Sequence, residues 1–373
     1  MLRYGGWYRG ATFHGINLSP DDHGEVLEAK WRNWVEEESF KRIVFHMQVH
    51  CSKGSLTTGT RMPVSCFELL LPLPYHRRLW TAKTYLEWKQ VYLTLVSHGP
   101  LQKISARQVL ANPLIIVSLP DVYDSDCAQL ILLHCISSMT RDYQQYLTVC
   151  EEQRLHRLLQ STRMINESHK SQDAVHRSLL IELLSMHVFA PFGHFELAAG
   201  REGQDEAKAA YRSAQIWSKS CKARQAVSHA GQAVRYLREI PLSQFTDFHA
   251  IITYQVSICL WIYGAIAAND ATSSARGIPS IMSQQFALDT DETAKSQQWI
   301  ILNGGIPAIC QGVSRNGAEE GNQILLSSTQ EVMVCLQELL PREALTGQSH
   351  VLISSVYDLM SALSTVRPGI FLS

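Results

Sequence analysis

The sequence has 373 residues, 33 Lys+Arg against 34 Asp+Glu (a formal net charge of −1), and 46% apolar residues. That length admits one large domain or two ordinary ones, and the apolar share is that of a chain that buries a core and not of a disordered one. The near-zero charge argues against a freestanding nucleic-acid binder. The longest apolar runs, 127–139 and 256–268, fall short of the roughly 18–20 residues a bilayer requires. Residues 1–19 mix Gly, aromatics and Arg, without the apolar centre of a secretory signal. Nine cysteines, odd in number and lacking a Cys-x-x-Cys pair, read as reduced thiols. The expectation is a soluble intracellular protein.

In chain order, the first 22 residues read as irregular. Leu27, Trp31, Trp34, Val35, Ile43 and Met47 recur at helical spacing and predict a helix over 25–50. A polar Gly/Ser/Thr loop is expected over 51–62. Ser65 and Glu68 have capping-box spacing, which predicts a helical turn there. Prolines make 69–74 extended. A second helix is predicted from Trp80, with Trp80, Thr84, Trp88, Val91 and Leu95 on one face. After a loop over 112–121, helices are expected over 126–147, 151–162, 173–189, 206–239 (with a break near 219–222), 248–268, 291–303, 323–340 and 349–364. Residues 269–289 read as the longest loop. Neither alternating strands nor βαβ spacing stands out. The expected class is all-α, an irregular multi-helix bundle of regulatory-domain type with no significant sheet. Its organisation is an irregular segment 1–24 and a helical domain 25–373, with a subdivision point near 112–125.

Motifs that carry chemistry stop short of their requirements. Gly54 and Gly59 have phosphate-loop spacing, but Thr60-Arg61 follow where Lys and Ser/Thr are needed. His46 and His50 share one helix face beside Cys51, without the glutamate or cysteine pair of a zinc site. Asp21-Asp22 and Glu25 form an Asp-Asp-x-x-Glu pattern, and Asn269-Asp270-Ala-Thr-Ser273 opens like a second magnesium motif whose final Glu falls on Gly277. This pair defines the alternative of a terpenoid-synthase-type enzyme. Basic residues between Arg201 and Arg238 are diluted by acids and read as a solvated helix face. No catalytic, cofactor-binding or metal-binding residue is assigned.

One stretch is distinctive: Trp31-Arg-Asn-Trp34, the acids 36–38, Lys41-Arg42, then Glu68-Leu-Leu-Leu-Pro72-Leu-Pro74, Trp80-Thr-Ala82 and Trp88. It resembles the fungal-specific transcription factor domain, or middle homology region, whose pattern is Trp-x-x-Trp-x-x-x-Glu, a basic pair, Glu before Leu-Pro, Trp-x-Ala and a later Trp. The stretches 186–194 and 303–307 resemble members that carry two-Cys two-His fingers. The residues singled out are Trp31, Trp34, Glu36, Arg42, Glu68, Pro72, Trp80 and Trp88, as architecture rather than ligands. The resemblance implies a nuclear, non-enzymatic regulator of a metabolic or secondary-metabolite gene cluster. Its implied partners are other transcription factors or a second copy, with a small-molecule effector a further candidate, and no membrane. The family's binuclear zinc cluster or fingers do not occur in this sequence, so DNA contact is expected to be indirect or through an upstream zinc module. A truncated remnant of a larger regulator is the other alternative.

Overall fold

The computed structural model describes residues 13, 15–60, 62, 69–97, 101–146, 149–169, 171–273, 284–311, 322–341 and 351–365. The expected capping box at Ser65–Glu68 lies outside these residues. The chain is mostly helical with one very small sheet, and it divides into two units, Met1–Arg177 and Ser178–Ser373.

In the first unit, α1 (Gly24–Thr58) runs through most of the expected polar loop. Ser52, Ser55 and Leu56 are buried, and Thr57 and Thr58 donate their hydroxyls to the carbonyls of Lys53 and Gly54. The polar residues thus satisfy the helix instead of competing with it. Gly59 ends it with φ 69°. Residues 69–75 are extended, with Leu69, Leu71 and Leu73 buried and Leu70 exposed.

The helix expected from Trp80 is two helices, α2 (Arg77–Thr81) and α3 (Tyr85–Val96). Thr84 causes the break: its hydroxyl accepts from Glu87 N at 3.2 Å, while the Glu87 carboxylate accepts from Lys83 N at 2.8 Å. Two short helices follow, α4 (Ala106–Ala111) and α5 (Ile115–Ser118). Then come α6 (Ser125–Tyr146) and α7 (Val149–Ser168). Asp124 caps α6 by accepting from Cys127 N at 3.2 Å. α1, α4, α5 and α7 all pack on α6. Residues 112–125 lie inside this unit.

The division between units falls inside α8 (Ala174–Phe189). The second unit continues with α9 (Phe192–Ala198), α10 (Gln204–Ser218) and α11 (Cys221–Glu239). Ser220, accepting from Ala223 N, restarts the helix at the expected break. α12 (Asp247–Ser273) is the centre, packed by α9, α10, α11, α14 (Thr329–Gln337) and α15 (Val351–Thr365). The span Asp247–Asp270 is long and apolar enough to cross a membrane by length and composition, but 83% of its 18-residue apolar window is buried inside the protein. It exceeds the apolar run read from sequence because Thr253 and Ser257 return their hydroxyls to carbonyls one turn back.

The small sheet was not legible as strands. β1 (Gln285–Ala287) pairs in parallel with β2 (Ile306–Cys310) across α13 (Ala294–Leu302), and β2 pairs antiparallel with β3 (Gln323–Leu325). Gln285 lies opposite Ile306, and Cys310 opposite Gln323. β1 falls in the expected long loop and β3 at the start of the expected 323–340 helix. Gly231 brings α11 against Leu288 where a Cβ would collide, and Gln232 Nε2 donates to the carbonyls of Leu288 and Thr290 at 2.8 and 2.7 Å.

Candidate functional site

Of the sequence-singled residues, Trp31, Trp34, Arg42, Trp80 and Trp88 converge in the first unit, around the middle of α1. Trp34 and Trp88 meet with ring centroids 5.5 Å apart. They belong to a buried cluster with Leu27, Tyr75, Leu79 and Ala82, against which Trp31 and Trp80 pack half-buried. The indole N–H groups of Trp31, Trp34 and Trp88 find no acceptor among the described residues, so packing rather than hydrogen bonding holds the cluster.

Beside it lies an ionic clasp. Glu38 is fully buried and Lys41 nearly so. The Glu38 carboxylate meets Lys41 Nζ at 2.6 Å and Arg42 Nε at 3.0 Å, and it accepts from Tyr75 N at 3.0 Å. Arg42 continues outward, donating to Asp124 Oδ2 at 3.2 Å and to the Tyr75 carbonyl at 2.8 Å, with its guanidinium 5.0 Å from the Trp80 ring. Lys41 Nζ sits 4.3 Å from the Tyr75 ring centre and 3.5 Å from the Leu73 carbonyl. Tyr75 stacks on Tyr123, whose hydroxyl accepts from Ile104 N at 2.9 Å and donates to the Gln102 carbonyl. The clasp therefore ties α1 to 73–75, to 102–104 and to the turn before α6. Burial pushes the Tyr123 hydroxyl up to about 12 and raises Tyr75 too, so both phenols stay protonated. Burial lowers the Lys41 ammonium while Glu38 opposes that shift.

Glu36 is exposed on the opposite side of α1 and makes none of these contacts. The carboxylate that matters is Glu38, one helical turn past Trp34 and one before Arg42. The period Trp34–Glu38–Lys41–Phe45 carries that signal in the sequence, hidden in a run of three glutamates. Pro72 is buried in the extended segment and bridges to Ser105. Glu68 lies outside the described residues.

The other motifs are dispersed. His46 and His50 are exposed. Asp22 accepts from Ser19 N at 2.6 Å and from Lys30 Nζ at 2.7 Å, and these bonds hold its carboxyl below the usual range. Asn269 lies on α12 and donates to the Tyr211 hydroxyl, and Gly277 lies outside the described residues. Among the described residues no group of three or more His, Cys, Asp or Glu is placed to hold a metal ion. In the basic stretch 201–238 two residues are not solvated as expected. Arg224 is buried and donates to the Ile300 carbonyl at 2.8 Å. Arg238 pairs with the buried Asp289 and donates to the Cys310 carbonyl at 2.7 Å.

No family model and no solved structure matches the chain. It is 25% identical to "Transcription factor 1" of Elsinoe fawcettii, over 78% of this chain and 33% of that protein. It is 24% identical to a transcription factor of Zymoseptoria tritici, over 87% of this chain and 38% of that protein. A third match, "Transcription factor PfmaH" of Pestalotiopsis fici, is 22% identical over 73% of this chain and 31% of that protein. The chain is a distant relative of fungal transcription factors. It spans about a third of the length of these curated relatives.

Proposed function

We propose that this chain is a non-enzymatic regulatory region of a fungal transcription regulator. It works in the nucleus through contacts with other transcription factors or with a second copy of itself, and bears on a metabolic or secondary-metabolite gene cluster. The observation that carries this reading is the similarity to three proteins named as transcription factors, extending over 73% to 87% of the chain. The aromatic and ionic convergence around α1 fits a rigid scaffold, since its charges are spent on one another and on backbone groups. DNA is reached through a partner or through a zinc module that this sequence does not contain.

Deletion of the gene, read by transcript profiling, tests this together with imaging of the tagged protein. The expected result is nuclear signal and changed expression of a coherent set of genes. An unchanged transcript profile with signal confined to the cytosol overturns it.

A further inference from the structure

We propose that the first unit carries a binding site for a small organic anion, in the cleft between α2 and the N-terminus of α6. The cleft has a volume of about 410 Å³ and is lined by His76, Arg77, Arg78 and Thr81 on one side and by Pro120, Tyr123, Asp124, Ser125, Asp126 and His169 on the other. That volume lies within the range of small-molecule sites, roughly 300–1,000 Å³.

The charge of the cleft decides its occupant. Its two carboxylates are already engaged from beneath. Asp124 is held by Arg42 at 3.2 Å and caps α6. Asp126 is held at 2.8 Å by Arg177, with His169 at 3.4 Å. Although burial pulls the Asp126 carboxyl up, its bonds to Ser171 and Arg177 carry it below the ordinary carboxylate value. Arg177, itself nearly fully buried, keeps Nη2 without an acceptor among the described residues. Arg77 and Arg78 are exposed and carry no ion pair among the described residues. Arg42, shared between Asp124 and Glu38, and Arg177 thus back the two carboxylates from outside the lining, and with Asp121 near His76 as a further acid the exposed Arg77 and Arg78 still leave an excess of positive charge. His76 Nδ1 accepts from Arg78 N, and burial followed by Arg78 lowers its pKa, so its ring adds no charge. The surplus is positive and lies at the cleft's mouth, on side chains whose forked donors suit carboxylate or phosphate oxygens.

The site is coupled to the clasp, because Asp124 forms part of the cleft wall and also holds Arg42. It does not depend on the transcriptional reading, since anion binding holds or fails whatever the deletion strain shows.

The test is isothermal calorimetry on the full chain, with citrate and pyrophosphate as separate probes and sucrose as the neutral control. One of the two anions is expected to bind at a single site with a Kd below about 1 mM at low salt, weakening as salt rises. The R77Q/R78Q variant weakens it at least about tenfold. R212Q, an exposed arginine on α10, leaves it unchanged. Binding of citrate alone identifies a carboxylate ligand, and of pyrophosphate alone a phosphate ligand. The proposal is overturned by no binding of either anion at about 10 mM. It is equally overturned by a parent affinity insensitive to salt, or by R77Q/R78Q binding within about twofold of the parent.

Discussion

Replacing Glu38 by Gln removes the charge at the centre of the clasp and nothing else of consequence. The amide oxygen still accepts from Tyr75 N, and Arg42 keeps Asp124 and the Tyr75 carbonyl. Lys41 is left with the Tyr75 ring and a carbonyl at 3.5 Å, at 3% exposure. Removing one partner of a buried pair costs about 3–5 kcal/mol. For a unit of this size that lowers Tm by roughly 10 °C, read from the near-ultraviolet circular dichroism of the indoles. The sign with pH follows from Lys41. Burial depresses its pKa in the folded state, and without Glu38 only the weaker pull of Glu37 opposes that, so the unfolded chain binds the additional proton. The deficit of E38Q therefore shrinks as pH rises toward the ordinary lysine value. E38Q/K41M, which removes both charges, recovers at least half of the loss. A change below about 0.5 kcal/mol for E38Q, or no recovery in the double variant, refutes the reasoning.

Three further outcomes are expected. His134 is fully buried on α6, its Nδ1 2.9 Å from the Ser52 hydroxyl, and burial with Lys53 pushes its pKa down to about 3. It therefore stays neutral when folded and protonates only when unfolded. Stability is complete above pH ~6.5 and falls by up to about 1.4 kcal/mol per unit below it, a slope that H134Q flattens in urea titrations between about pH 6.5 and 4. A Cβ at Gly264 of α12 would overlap the Leu326 carbonyl oxygen, so G264A destabilises the second unit by about 1–3 kcal/mol in the same titrations. T84A removes the cap of α3 and costs about 1 kcal/mol, measured by thermal unfolding.

The sequence was most legible where one residue type dominates a face. The tryptophans of α1 and α3 announced a buried aromatic cluster, and Trp34 and Trp88 touch. It was least legible where a hydrogen bond outweighs periodicity. Trp80 fits the spacing of Trp88, yet the Thr84 cap places a helix end between them. Three adjacent glutamates look alike in one dimension, and only Glu38 is fully buried. The strands escaped notice because two of them have three residues each, too few to show alternation. They are strands because α13 returns the chain beside itself and Asp289 accepts from Cys310 N at 3.0 Å. The anion cleft joins residues from 76 to 169, and no local pattern announces such a meeting.

The apolar helix α12 sets a condition on how the protein is handled. Its cover comes partly from α14 and α15, which are the last of the described helices to leave the ribosome. Until they arrive, a span composed like a membrane segment has part of its surface bare. Expression fragments that stop before residue 329 should collect in inclusion bodies, and slower translation through the C-terminal third should raise the demand on chaperones. The practical boundary for a soluble second unit thus lies beyond Thr365, whatever shorter piece a study of the N-terminal clasp would favour.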